Sequence, residues 1–399
     1  MFLIFNAGSS SLKFKLFDSD TLEEKGKGAC SEIGSAQSTF SLNQQEPKQC
    51  QLESHEDALK TVLQELKDAH VIEDDKMIKA IGHRVVHGGD RREPVKVTSK
   101  TLKQLDELTA LAPLHNHRAV TVMEASLKRM PDSDNYAYFD TMFHATLPKH
   151  IYTYPLPRQH ALDNAVRKWG FHGLSHQFVS GRSAKFLNKP LQNSKLITLH
   201  LGNGSSACAI ANGESIDTTM GLTPVSGLPG GTRSGDIDPS AVFHLVSHPA
   251  DPKPGGGVEL AKAEHVLNKE SGFKGLCGLT HMGDIATKAE HNDEPAKLTF
   301  DLFVNRIQNF IGSYFILLEG CDVIVFTGGI GEHSAPLRQH VCEKLKCIGC
   351  KIDLDKNNHA DTTKDKVVDI TASDSSIRVL VVETNEELQI ARLMKENHP

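Results

Sequence analysis

The sequence predicts an α/β chain of two related halves with a cleft between them, and three observations carry that prediction. Strand-like apolar runs alternate with helical stretches along 399 residues, more than a single core usually serves. A strand, a turn of Asn, Gly and Ser, and a second strand occur at 2–17, "FLIFNAGSSSLKFKLF", and again at 196–211, "LITLHLGNGSSACAIA", which marks an internal duplication. A third apolar run, "DVIVFTGGIGE" at 322–332, also enters a Gly-rich turn.

The elements follow in order. In the first half, strands at 2–6 and 12–17 precede "HEDALKTVLQELKDA" (55–69), whose apolar residues recur at i, i+3, i+4 and i+7 and predict a helix. "MIKAIGHRVVHGG" (77–89) reads as a strand running into a polar turn, 99–111 and 117–130 have helical periodicity, and 135–148 carries a strand into Asp140. The second half restarts at 195–211. The stretch 221–240 is too rich in Gly and Pro for regular structure, "SHPADPKPGGG" (247–257) reads as a surface insertion, and helices fill 258–319. A last strand (378–383) leads into a helix at 385–396, where Thr384 and Glu387 form a T-x-x-E capping box.

Composition narrows the function. A hydrophobic fraction of 39% and a net charge of −6 fit an ordinary globular protein and give no footing for nucleic acid or an anionic membrane. Met1–Asn6 has no basic leader, and Glu319, Gly320 and Asp322 interrupt the longest late apolar run, so the chain is expected in the cytoplasm. Eight cysteines there are expected as thiols. Cys347 and Cys350 have C-x-x-C spacing near Cys342, but the second pair of a structural zinc site is missing. His172 and His176 lie four apart without the Glu of a zinc hydrolase.

Gly-rich turns let backbone N–H groups converge on a ligand, and Ser adds hydroxyl donors, an arrangement suited to phosphate oxygens. One such turn reads as a plain hairpin. Three, two with adjacent serines and one with Lys13 just beyond, point to nucleotide phosphates. The chain has neither G-x-x-x-x-G-K-[ST] nor a G-x-G-x-x-G that opens a helix, so a P-loop is excluded and a Rossmann dinucleotide fold is disfavoured.

"NAGSSSLKFKL" (6–16), "GHRVVHGG" (82–89), "FDTMFHATLP" (139–148), "GFHGLSH" (170–176), "HLGNGSS" (200–206), "GTRSGDIDP" (231–239), "FTGGIGE" (326–332) and "TNEELQIAR" (384–392) together resemble the acetate kinase family. The motifs span nearly the whole chain. The resemblance implies two duplicated actin-like ATPase (ribonuclease H-like) domains closing around a nucleotide. It places an acyl- and phosphate-side domain at 1–148, joined by the C-terminal helix 384–399, and a nucleotide-binding and dimerisation domain at 149–383. It further implies a homodimer that transfers phosphate between ATP and acetate with Mg²⁺, or Mn²⁺ in its place.

A carboxylate acceptor is already ionised near neutral pH and needs no general base. Its obstacle is repulsion from the anionic γ-phosphoryl group, which calls for cations and donors. By resemblance Arg84 and Arg233 flank the transferring group, and His172 donates to it. The family treats Asp140 as catalytic, and the chemistry favours its orienting Arg84 or a magnesium-bound water. Glu386 and Asn6 are implied at the metal. Asn6, Ser9, Ser11 and Lys13 are implied at the transferring phosphate, and His200, Leu201, Gly202, Asn203 and Gly204 at the nucleotide phosphates. Gly329, Ile330, Gly331, Glu332 and His333 are implied on the adenosine side, and Val86, Leu114, Phe171 and Pro224 around the acyl group. His176 reads as a core histidine satisfied by backbone, and His83, His87, His115 and His144 as scaffold.

The pattern departs from the family at 278–288, where Asp284 stands in for the acid of Ser-Asp-x-Arg and no arginine follows. His117 replaces a proline, His333 an asparagine, and the 247–257 insertion is foreign to the family. A relative using propionate or another donor, such as pyrophosphate, is therefore the second reading. A non-catalytic nucleotide-driven module is the third, and it has no use for both arginines and His172.

Overall fold

The computed structural model describes residues 1–43, 45–108, 116–246 and 260–397; Leu114, His115 and the 247–257 insertion lie outside them. The chain divides into two units. The first comprises Met1–Ala145, Gly173–Ser175 and Asn385–Pro399, and the second Thr146–His172 and His176–Thr384.

The first unit is built on β1 (Phe2–Ala7), β2 (Leu12–Phe17), β3 (Glu24–Ser31), β4 (Thr39–Leu42), β5 (Lys48–Gln49), β6 (Ala80–Val85), β7 (Val95–Lys96) and β8 (Asp134–Phe139). They form one sheet in the order β5-β4-β3-β2-β1-β6-β8-β7. β1 is antiparallel to β2 but parallel to β6, which is parallel to β8. Four successive buried residues, Phe2 to Phe5, make β1 apolar on both faces, as a covered central strand must be.

Leu3 and Phe5 meet Leu59, Val62, Leu63 and Leu66 of the helix His55–Asp68, which starts where Ser54 accepts from the Asp57 N–H. On the other face Phe2, Ile4, Val85 and Phe139 share a core with Ile390 and Met394 of the helix Glu386–Asn397. That helix approaches the sheet over Gly82, where a Cβ would stand 2.6 Å from Ile390 Cγ2 and 2.9 Å from Met394 Sδ. Burying each of those two side chains contributes roughly 2 kcal/mol. The cap differs from the T-x-x-E expectation. Asn385 Oδ1 accepts from the Leu388 N–H at 3.0 Å, while the Thr384 N–H is drawn away to Glu332 Oε1 at 3.2 Å.

The second unit repeats the plan with β9 (Lys195–Leu201), β10 (Ser205–Ala211), β11 (Glu214–Thr218), β12 (Val323–Thr327), β13 (Val367–Asp369) and β14 (Arg378–Val382), in the order β11-β10-β9-β12-β14-β13. The antiparallel run β3-β2-β1 followed by parallel β6 and β8 has its counterpart in β11-β10-β9 followed by parallel β12 and β14. This is the duplicated actin-like ATPase topology. Its core joins Ile197, Leu199, Ile324 and Phe326 of the sheet to Phe300, Phe303, Ile307 and Ile311 of the helix Glu294–Leu317.

Two sequence expectations are refined here. The third Gly-rich turn is in fact a short helix, Gly328–His333, and the 258–319 region is a series of separate helices interrupted near Gly272 and Gly278. Both glycines have positive φ, which ends helical runs. Among the described residues no helix is long and apolar enough to cross a membrane.

His83, on β6, is 1% exposed, bonds Asn135 Oδ1 through Nε2 at 2.9 Å and stacks on Phe5. Burial pushes its pKa down to about 4, against a smaller upward pull from Asn135. A depressed histidine contributes stability that is present above its unfolded pKa and lost as pH falls. We therefore expect about 3 kcal/mol of the acid sensitivity between pH 6.5 and 4 to come from this ring. Urea titrations of His83→Gln at pH 7, 5.5 and 4 should show a correspondingly flatter pH dependence than the parent, and an identical slope would refute the assignment.

Candidate active site

Parallel pairing of β6 with β8 sets Arg84 beside Tyr138, two residues before Asp140, and so brings the two charged side chains together. Arg84 donates from Nε to Asp140 Oδ1 at 2.9 Å and from Nη2 to Oδ2 at 2.8 Å, and its Nη1 lies 2.7 Å from Glu386 Oε2. Burial disfavours the guanidinium charge, but Asp140 and Glu386 more than offset it and raise its pKa. The forked contact fixes the plane of the guanidinium.

Glu386 occupies the first turn of its helix, where the dipole favours a carboxylate. Its Oε1 is buried with no hydrogen-bond partner. Burial lifts its pKa to about 7; Arg84 pulls it down, while Asp140 and Glu387 push it up. Sequence reasoning missed Glu387. Burial pushes this carboxyl up too, but Lys15, 3.3 Å away, helps hold it below the usual range. Asn6 Nδ2 sits 3.5 Å from Glu387 Oε1, so Asn6 neighbours this carboxylate. The signal in the sequence was the Glu386-Glu387 pair following a cap residue.

Asn6 and Lys13 are register partners on the β1–β2 hairpin, whose turn is closed by Gly8 N–H to Ser11 O at 2.8 Å; Ser9 and Lys13 are exposed. Val86 is half-buried just beyond β6. A lone buried carboxylate oxygen fits a divalent cation that takes its other ligands from water and phosphate. Among the described residues no group of three His, Cys, Asp or Glu forms a closed cage.

In the second unit β9 and β10 are joined by the turn Gly202–Gly204, with Ser205 Oγ donating to Gly202 O at 3.0 Å. His172 has φ of 56° and precedes the helix Gly173–Phe186. Its ring stacks on His200 at 4.2 Å, and its Nδ1 lies 3.0 Å from Ser206 Oγ. His176 is fully buried, and its ring nitrogens meet the hydroxyls of Thr198 and Ser206, each at 2.8 Å.

Arg233 stands on a loop braced by Gly230 N–H to Arg233 O at 3.0 Å and Gly231 N–H to Asn203 O at 2.9 Å. Among the described residues its guanidinium has no carboxylate partner, and burial lowers its pKa. Gly204 makes room for it: a Cβ there would lie 2.7 Å from Arg233 Nη1 and 3.7 Å from His172 Nε2. A half-buried cation with no carboxylate partner among the described residues, beside a histidine and a Gly-rich turn, is a ready anion site.

A pocket of about 620 Å³ opens next to that turn, lined by Gly202, Asn203, Met282, Ala286, Gly329, Ile330, His333 and Pro336, among others. An apolar slab with backbone donors at one end suits a nucleoside phosphate. Asp284 is exposed and turned toward His281 at 3.6 Å, whereas Gly283, Thr287 and Glu290 line the pocket. Those three share a helix face at three- to four-residue spacing, and Asp284 sits off it. Of the 329–333 segment, Gly331 and Glu332 are buried. The Glu332 carboxylate is committed inside, to the Gly328 and Thr384 N–H groups and the Thr362 hydroxyl. Leu201 and Phe171 are core residues, and Pro224 is half-buried. A cleft of about 670 Å³ is lined by residues of the 34–38 and 49–53 segments, none of those lining residues being Lys or Arg.

An actin-like fold carrying these groups is that of a phosphotransferase. The acetokinase family model matches residues 1–392. The acetate kinase of Natranaerobius thermophilus is 41% identical over 98% of each chain. Crystal structures of a Porphyromonas gingivalis acetate kinase (34% identical) and a Francisella tularensis propionate kinase (36%) each superpose with a TM-score of 0.89 over 98% of both chains. The chain belongs to the acetokinase family, whose members use ATP and ADP and are phosphotransferases with a carboxyl group as acceptor.

Because the space at Gly204 is already filled, Gly204→Ala should displace the Arg233 guanidinium while leaving the sheet intact. We expect kcat to fall about tenfold to 10²-fold, since an active-site displacement of ~1 Å can cost about 10²-fold, with a melting temperature near that of the parent. Full activity in this variant would show that Arg233 has other room.

Proposed function

We propose that this enzyme transfers the γ-phosphoryl group of ATP to acetate, reversibly, giving acetyl phosphate and ADP. The observation that carries the reading is Arg233, a half-buried guanidinium with no carboxylate partner among the described residues, lying beside His172 at Gly204. A cation left without its counter-ion in the protein is costly unless a ligand supplies one.

In the second unit, Arg233 and His172 Nε2 stabilise charge on the equatorial oxygens of the transferring group. The backbone of Gly202–Gly204 holds the nucleotide phosphates, and the 620 Å³ pocket holds the base and ribose between Ala286 and Ile330. In the first unit, Arg84 binds the acetate carboxylate through what its contacts to Asp140 and Glu386 leave available. Asp140 keeps its plane fixed and takes no proton. Asn6, Ser9, Ser11 and Lys13 serve the phosphoryl group. Val86 is assigned to the acyl methyl by family resemblance, as are Phe171 and Pro224 of the second unit and Leu114, outside the described residues.

Glu386, with Asn6, would hold Mg²⁺ (or Mn²⁺), which when bound offsets charge on the phosphate oxygens; the unpartnered, proton-avid Glu386 Oε1 supports this. Eight unpaired thiols support a reducing, cytoplasmic setting. Leu298 and Ile316, 59% and 74% exposed and 18 residues apart on one face of the helix Glu294–Leu317, support a homodimer.

The likeness to a propionate kinase favours propionate as a second acceptor, because one methylene changes discrimination by only about 1–3 kcal/mol. The test is purified protein with ATP and Mg²⁺, each of acetate, propionate and butyrate, and hydroxylamine to trap the acyl phosphate. A pyrophosphate arm replaces ATP. Acetate with ATP should give the highest kcat/KM, and absence of hydroxamate with acetate would overturn the assignment. Arg233→Ala should lose about 10³-fold in kcat, the scale of other transition-state arginines, and circular dichroism should show its fold retained. Activity within tenfold of the parent would remove Arg233 from the mechanism.

A further inference from the structure

A closed line of hydrogen bonds runs behind His172 within the second unit. His172 Nδ1 is 3.0 Å from Ser206 Oγ, Ser206 Oγ is 2.8 Å from His176 Nε2, and His176 Nδ1 is 2.8 Å from Thr198 Oγ1. Thr198, His176 and Ser206 are fully buried. None of the three has a part in the transfer described above.

The order of protons along this line follows from its far end. Among the described residues the Thr198 hydroxyl meets only His176 Nδ1, so its hydrogen has one outlet. A buried hydroxyl hydrogen without an acceptor is costly. His176 Nδ1 is therefore the bare acceptor, and its hydrogen sits on Nε2, directed at Ser206 Oγ. The Ser206 side chain meets only the two rings. Having accepted from His176, it donates to His172 Nδ1. His172 is left with its hydrogen on Nε2, the nitrogen that stands with Arg233 Nη1 around Gly204.

We propose that Thr198, His176 and Ser206 are positioning residues that hold His172 as a neutral imidazole protonated on Nε2. The reverse order would present a lone pair toward the incoming phosphoryl oxygens and leave the Thr198 hydrogen without an acceptor. A doubly protonated His172 has the same defect, and it would add a second charge beside Arg233 and the stacked His200. A neutral ring donor next to a full cation stabilises developing charge without losing its proton. This inference rests on His172 acting on the transferring group.

The test is ¹⁵N spectroscopy of histidine-labelled protein at neutral pH, with the His172 signals assigned from His172→Gln. The expected pattern is a bare Nδ1 and a protonated Nε2. An Nδ1–H tautomer or an imidazolium overturns the proposal. Thr198→Val removes the end that sets the order, so the His172 signals should move toward a mixture of tautomers, and Thr198→Ser should bring them back. Ser206→Ala should lower kcat about tenfold with KM for acetate and ATP within twofold of the parent, a split that general loosening of the fold would not give; Ser206→Thr should recover it. Unmoved spectra in folded Thr198→Val, or unmoved kcat in Ser206→Ala, refute the relay. If neither variant folds, the spectrum of the parent decides alone. An active parent with the wrong tautomer sinks this inference and leaves the assigned reaction standing, whereas a parent that makes no acyl phosphate removes the reaction itself.

Discussion

A half-buried arginine needs a counter-charge, from the protein or from a ligand, and the first unit is organised to supply one itself. Arg84 is kept charged in the interior by Asp140, at the end of one strand, and by Glu386, which arrives from the far end of the described chain. Taking these groups out of water costs several kcal/mol per ion, which only good geometry offsets. The geometry is supplied by packing. Phe2, Ile4 and Phe139 seat the helix Glu386–Asn397 over a glycine that leaves no gap, and the carboxylate at its start follows. Removing that helix would strand a cation as well as a slab of apolar surface.

The two units treat charge in opposite ways. The first surrounds its arginine with acids and has a carboxylate oxygen to spare, which is the profile of a cation's ligand. The second leaves its arginine without a carboxylate partner among the described residues and sets it close to a Gly-rich turn and the stacked rings of His172 and His200, which is the profile of an anion's receptor. A reaction that joins a carboxylate to a phosphate needs both, since neither anion is stabilised by the solvent it leaves behind.

Much of this was legible in the sequence. Alternating apolar runs and the repeated strand–Gly–strand unit gave the α/β duplication, because those signals come from local chemistry. Asp140 could be reasoned to orient Arg84, since a carboxylate acceptor needs no base. The partners that sequence reasoning missed are those that only long-range packing creates: Glu387 against Lys15, or Thr198 and Ser206 against His176. Thr198 sits in a strand where a β-branched residue needs no further explanation. Asp284 shows the converse limit, because motif position cannot say which way a helix faces: Asp284 is exposed beside His281, while Glu290 lines the pocket. The short helix at Gly328–His333 was unreadable for a related reason: Glu332 folds back to bond the N–H of Gly328, compensating for glycines that disfavour helix.

The segmental make-up of the first unit bears on how the molecule is made. Thr146–His172 and His176–Thr384 give the second unit an almost uninterrupted stretch, whereas the first must wait for Asn385 onward to emerge from the ribosome. During synthesis its sheet is thus held with Gly82 uncovered and Arg84 lacking one counter-charge. Nascent chains released early would display this bare, apolar strand surface, a natural handle for quality control.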